Sequence, residues 1–119
     1  MSKFKKLWVW QQAIDFAAEI YELTDRGKFA KDYGLRNQIQ RAVVSIASNI
    51  AEGDERDSDK QSAHFFKIAK ASNAEVITQL NIAKRIGYID ENTLLKLETI
   101  GMKIGAGLYG LIKARGGYK

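Results

Sequence analysis

The sequence predicts an all-α chain folded as an antiparallel, up-down-up-down four-helix bundle. Three observations predict it. Proline is absent from all 119 residues, so nothing interrupts a long helix and a common turn residue of β-rich domains is missing. Gly27, Gly34, Gly53 and Gly87 punctuate the first two-thirds and separate segments of helical period. No stretch alternates apolar and polar residues as a half-buried strand does. Four long amphipathic segments joined by short connections are the pattern of such a bundle.

The first segment spans about Leu7 to Thr24. Leu7, Trp10, Ile14, Ala17, Tyr21 and Thr24 recur at spacings of 3 and 4 and form its expected core stripe. Trp8 and Trp10 lie two apart and cannot share a face. The second segment spans about Asp32 to Glu52, with Gly53 expected to close it as a left-handed cap. On a helical wheel Leu35, Ile39, Ala42, Val43, Ile46 and Ile50 fill an arc of about 100°. Gln38, Arg41, Ser45, Asn49 and Glu52 fill a separate polar arc of about 80°. Val44, Ala47 and Ala51 widen the apolar side. So little polar surface points to cover on two sides, and hence to a neighbouring subunit.

The third segment starts at Ser58 with a capping-box pattern, Gln61 standing three residues on, and ends near Ile86 before Gly87. Phe66, Ala69, Val76, Leu80 and Ala83 form its main stripe, with Asn73 the polar exception. Phe65, Ile68, Ile82 and Ile86 form a second apolar set. The fourth segment follows Asp90, a good N-cap, and carries Leu94, Leu97, Gly101, Ile104, Leu108 and Leu111 at alternating spacing. Gly101, Gly105, Gly107 and Gly110 inside it each cost up to about 1 kcal/mol relative to Ala. They mark either the close approach of another backbone, such as a neighbouring subunit's, or a helix that ends early. Residues 1–5 and 115–119 read as frayed ends of a single domain over 1–119, without repeat or linker.

Composition narrows the chemistry. The chain is 45% hydrophobic and 28% charged, enough for a core without staples. With no cysteine, a disulfide framework, a thiolate zinc site, an iron–sulfur cluster and a cysteine nucleophile are excluded. No signal-peptide pattern and no run of about 18 apolar residues occurs, which makes the cytoplasm the expected location. The single histidine, His64, has Gln61 three residues before it, so the Glu-x-x-His pairs of carboxylate-bridged metal bundles are missing. There is no phosphate-binding P-loop and no nucleophile elbow. The expectation is a non-enzymatic protein without metal or cofactor.

The net charge is +5, and its placement is uneven. Residues 1–59 hold 9 Lys and Arg against 10 Asp and Glu, while residues 60–119 hold 10 against 4. Five acids crowd between Glu52 and Asp59. The positive field therefore belongs to the second half.

The segment Gln38 to Gly53, Q-I-Q-R-A-V-V-S-I-A-S-N-I-A-E-G, closely resembles the bacterial four-helix-bundle proteins encoded in intervening sequences of 23S rRNA. Leu7-Trp8-Val9-Trp10-Gln11, Tyr33-Gly34-Leu35, Phe65-Phe66, Glu75, Gln79 and Gly87-Tyr88-Ile89 match the same pattern, over roughly residues 4 to 112. Ala47 stands where the family usually has proline, and Ala71 precedes Ser72 where it often has glycine. The resemblance implies a left-handed bundle that assembles as a ring, typically a homopentamer. It also implies kinship with accessory proteins of diversity-generating retroelements, which work with a reverse transcriptase and nucleic acid.

Two sets of residues are candidates for function. Gln38, Arg41, Ser45, Asn49 and Glu52 stack along one helix face, either as a polar network at a helix or subunit interface or as a ligand groove. Glu52 sits unfavourably at a helix C-terminus and calls for Arg41 or Arg56 as partner. Lys60, Lys67, Lys70, Lys84, Arg85, Lys96 and Lys103, with Lys113 and Arg115, form the basic set. Lys60 and Lys67, and Lys96 and Lys103, repeat at seven and so share faces. Few aromatics interleave these residues in sequence, so charge-driven phosphate contact without base stacking is expected. The first functional reading is an oligomeric scaffold that binds RNA or DNA or assists a nucleic-acid enzyme. The alternative is a protein-interaction adaptor ring, favoured by a leftover exposed apolar or Trp-bearing patch. A hydrolase would require a deep polar pocket holding His64 or Glu52.

Overall fold

A computed structural model describes residues 3–118. Met1, Ser2 and Lys119, part of the expected frayed ends, lie outside the described residues. A 3-10 turn, Lys3–Lys6, leads into α1 (Trp8–Thr24), α2 (Gly27–Lys31), α3 (Tyr33–Asp54), α4 (Asp59–Arg85) and α5 (Glu91–Ala114). No strand occurs among the described residues. The four long helices pack around one core, α3 on α4, α4 on α5, and α1 on both α3 and α5. The short α2 leans on α3; its five residues are too few to show a helical period.

Side-chain caps start α3, α4 and α5, and glycines stop α4 and α5. Asp32, Ser58 and Asp90 cap α3, α4 and α5 by accepting the amides of Leu35, Gln61 and Thr93 at 3.0, 3.1 and 2.8 Å. Gly87, at φ +85°, closes α4 in a Schellman motif: Tyr88 N–H donates to the Ala83 carbonyl and Gly87 N–H to that of Lys84. Gly116, at φ +73°, closes α5 in the same way.

The core stripes of α3, α4 and α5 fall where the spacing put them. Ile39, Val43, Ile46, Ile50, Phe66, Val76, Leu80, Ile104 and Leu108 are fully buried. Each large apolar side chain so buried contributes roughly 1.5–3 kcal/mol. α1 differs. Its buried face is Val9, Ala13, Phe16, Ile20 and Thr24, while Ile14 and Tyr21 of the expected stripe are exposed. Apolar residues cover roughly two-thirds of the circumference of this helix, and the space left by α3 and α5 selects the side that turns inward. Trp10 packs on the core and Trp8 is half exposed, as their spacing demands.

Gly53 does not cap α3. It is helical and buried, with negative φ. A Cβ there would stand 2.6 Å from the Phe66 ring and 3.0 Å from the Ser62 carbonyl. Its absence lets α4 cross against α3 backbone to side chain. Two glycines of α5 act similarly within the subunit: a Cβ at Gly107 would meet Val9 at 2.4 Å, and one at Gly101 would meet Ile77 at 3.0 Å.

The expected frayed C-terminus is folded as far as Tyr118. Gly117 N–H donates to the Ile112 carbonyl at 2.9 Å, and Tyr118 stacks on Tyr109 at 5.0 Å between ring centroids. Arg115 anchors the turn. Its Nη1 donates to Ser62 Oγ at 2.6 Å, and Ser62 Oγ donates to the Gly53 carbonyl at 2.7 Å. Asp54 and Asp59 stand 3.9 and 3.8 Å from the same guanidinium.

At the other end Tyr88 donates its hydroxyl to Asp32 Oδ2 at 2.9 Å and joins the α4–α5 turn to the α3 cap. The Leu35 amide, then Tyr88, hold the Asp32 carboxyl below its ordinary value of 3.8. The same bond, with burial, raises the Tyr88 phenol above 10.0.

The packing and this clasp set three expected outcomes. Gly53→Ala overpacks the Phe66 contact and lowers stability by about 1–3 kcal/mol. Gly110→Ala, where a Cβ meets nothing within 4 Å, raises stability by up to about 1 kcal/mol. Urea midpoints at unchanged slope read both signs. A depressed Asp32 pKa means stability present above pH 3.8 and lost as pH falls below it; a raised Tyr88 pKa means stability present below pH 10.0 and lost above it. Asp32→Asn therefore makes both limbs of the stability–pH profile shallower; a profile superimposable on the parent's contradicts the clasp.

Candidate nucleic-acid interface

The polar stripe of α3 meets its counterpart on α4. Ser45 Oγ pairs with Ser72 Oγ at 2.9 Å, and Asn49 Nδ2 donates to both the carbonyl and the hydroxyl of Ser45 at 2.9 Å. Gln79 Nε2 reaches Gln38 Oε1 at 3.4 Å and Glu75 Oε2 at 3.2 Å. Glu52 pairs with Arg56, one of its two expected partners. Arg41 is exposed and lines a cleft of about 230 Å³ with Gln38, Ser45, Ser72 and Glu75.

Gln38, Ser45 and Asn49 thus belong to a hydrogen-bond network that crosses to α4, with a shallow polar cleft beside Arg41 at its edge. Ser72 and Gln79, both buried, are members that the reading of the sequence did not place. Their signal was present: they lie seven apart on one face of α4, opposite the α3 stripe.

The basic set separates onto different faces. Lys60, Lys67, Lys113 and Arg115 line one open cleft between the start of α4 and the end of α5, together with His64 and Asp59. Lys67 and Lys70 line the adjoining α4–α5 groove. Lys84 and Arg85 lie about 36 Å away along α4 from Lys60, at 1.5 Å per residue. Lys84 pairs with Glu91 at 3.3 Å. Lys96 pairs with Glu19 of α1 at 3.0 Å, and Lys103, seven residues on, shares its face of α5. Arg115 belongs to the structural cluster with Asp54, Asp59 and Ser62.

Arg85 and Lys103 also lack an ion-pair partner among the described residues but lie outside the two clefts, whereas Lys60, Lys67, Lys70 and Lys113 line them and form a cationic patch. No acid among the described residues stands within ion-pairing distance of these four. Lys67 Nζ lies 5.4 Å from the centroid of the Tyr118 ring. An aromatic side chain therefore does accompany the lysines, and it comes from the folded tail, 51 positions along the chain. Sequence proximity could not show it.

Among the described residues no three His, Cys, Asp or Glu side chains are grouped as metal ligands would be. Among the same residues no helix is long and apolar enough to cross a membrane. His64 lies in the wide basic cleft, edge-on to Phe65, and Glu52 is exposed beside Arg56.

The model of the family described as 23S rRNA-intervening sequence protein matches residues 5–110. The chain belongs to that family. In fold it is similar to a crystal structure from Bacteroides thetaiotaomicron, described as a protein with unknown function from the S23 ribosomal protein family. The likeness has a TM-score of 0.81 at 24% sequence identity, covering 88% of this chain and 98% of that one. A search of curated proteins finds no match. The matched region of this family member contains α1, α3 and α4 whole, and most of α5. It stops short of Arg115 and Tyr118, the residues that fold the tail onto α4.

The network carries one expected outcome. Asn49→Ala removes the donor to Ser45 and costs about 1 kcal/mol. The change appears as a lower urea midpoint; an equally stable variant means that the network carries no structural weight.

Proposed function

We propose that this protein is a non-enzymatic scaffold that presents a cationic surface to nucleic-acid phosphates, alone or beside an enzyme that works on nucleic acid. The observation that carries the reading is the patch of Lys60, Lys67, Lys70 and Lys113, left without acidic partners while Lys84, Lys96 and Arg115 are paired. Lysine ammonium groups that face water attract phosphate by charge and release its counterions. They read no sequence by themselves.

The finer architecture belongs to the same proposal. The four long helices run antiparallel, up-down-up-down, in a left-handed bundle, and the short connections 55–58 and 86–90 support this. Copies assemble into a ring, a homopentamer as the resemblance implies, located in the cytoplasm. A ring multiplies the patch by the number of subunits and raises affinity through multivalency.

A second reading, a protein-interaction adaptor, is favoured by one observation. Leu95, Met102 and Tyr109, seven apart along α5, are all about half exposed or more, as is Trp8. Such a seam suits a partner helix.

Fluorescence anisotropy of a labelled RNA duplex decides between them. Binding in the micromolar range that weakens steeply as salt rises is the expected outcome. Replacing Lys67 and Lys70 together by Ala lowers the magnitude of the log-log salt slope by about 2. No binding at about 50 mM salt, where phosphate contacts are strongest, refutes the nucleic-acid reading and leaves the adaptor.

A further inference from the structure

The α4–α5 groove beside the cationic patch has a volume of about 440 Å³, within the range of roughly 300–1,000 Å³ usual for ligand pockets. Three of its features are chemically distinct. Lys67 and Lys70 stand at its rim and offer two positive charges. Tyr118 offers an aromatic ring, backed by Tyr109 at 5.0 Å and 23° between planes.

Asn73 lines the groove and is 3% exposed. Its Nδ2 donates to the Gly101 carbonyl at 2.7 Å, which fixes the amide so that Oδ1 is the free end. That Oδ1 is buried and has no hydrogen-bond partner. Buried acceptors are ordinarily satisfied, so this one calls for a donor that the described residues do not supply. Gly105 keeps the space above the amide clear, since a Cβ there would stand 3.3 Å from Asn73 Nδ2.

We infer that this groove seats an unpaired nucleotide, with the base against Tyr118 and Asn73 and the adjoining phosphate against Lys67 and Lys70. The inference rests on the nucleic-acid reading above. A nucleobase brings a flat π face for the tyrosine and, once the Asn73 amide turns toward the groove, an exocyclic amino donor for its Oδ1, which is closed to solvent in the free chain; its backbone brings the negative charge. A packed helix meets the need less well, because its backbone amides are already bonded within it. The Lys67 ammonium stands over the Tyr118 ring, and a stacking base displaces it onto the phosphate. Base stacking thus returns to a site where the spacing of residues along the chain excluded it.

The test compares a blunt RNA duplex with a hairpin of equal phosphate count whose unpaired loop carries 2-aminopurine, each titrated with the full chain. The hairpin is expected to bind about tenfold more tightly, as one stacked base allows, with quenched 2-aminopurine emission. Tyr118→Leu and Gly105→Leu, the latter filling the groove without touching a lysine, each abolish the quench and bring hairpin affinity down to that of the duplex. Tyr33→Leu, an exposed tyrosine on α3, leaves the preference intact. Equal binding of hairpin and duplex, with a steep salt slope and no quench, overturns the nucleotide groove while the cationic patch stands. Failure of both RNAs to bind overturns both readings.

Discussion

The approach of Phe66 to the bare backbone at Gly53 sets the geometry on which the rest depends. With no Cβ at Gly53, the Phe66 ring and the first turns of α4 lie directly against the end of α3. This brings Ser62 within 2.7 Å of the Gly53 carbonyl, one of the orphan acceptors at a helix C-terminus. Ser62 then accepts from Arg115, whose guanidinium also faces Asp54, Asp59 and the Phe66 ring. One missing methyl group therefore joins the end of α3, the start of α4 and the end of α5. The Gly116–Gly117 turn is held by that anchor, and it delivers Tyr118 to the α4–α5 groove.

Charge follows the same construction. The acids between Glu52 and Asp59 look like a neighbour hostile to phosphate in sequence. In the fold Glu52 is taken by Arg56, and Asp54 and Asp59 face Arg115. The exposed Glu52–Arg56 pair contributes little stability, with a median of about 0–1 kcal/mol for such pairs. The consequence of the three contacts is spatial: they engage Glu52, Asp54 and Asp59, while Glu55 and Asp57 keep their charge, and Lys60, Lys67, Lys70 and Lys113 stay without acidic partners on that end of α4 and α5. The opposite end is tied by Asp32 and Tyr88, a contact unrelated to the lysines.

The polar stripe of α3 answers a different constraint. Ser45 and Asn49 are half buried where α3 meets α4, and buried polar atoms need partners. Ser72 supplies one to Ser45 from the facing helix, Asn49 turns to Ser45 within α3, and Gln79 reaches across to Gln38. Asn73, one position on from Ser72, points to the other side of α4, donates to α5 and keeps an acceptor in reserve. Adjacent residues thus serve opposite faces of one helix, because 100° per residue separates them.

The sequence by itself determined the four long helices, the N-caps of α4 and α5 and the stripes of α3, α4 and α5. These depend on residues three, four and seven apart, which any chain displays along its length. Ser58 and Asp90 were legible as caps, and Gln38 to Glu52 as one face. Family membership was legible in the same stretch. The tertiary structure alone decided the inward side of α1, because two apolar arcs compete there and only the space left by the other helices selects Phe16 over Ile14 and Tyr21. It alone decided the role of Gly53, where the cause is a phenylalanine on another helix and not a backbone angle. It also decided which lysines keep their charge to themselves and that Tyr118 accompanies them. Those outcomes are distances between residues far apart in the chain, and no local spacing encodes a distance that packing has yet to create.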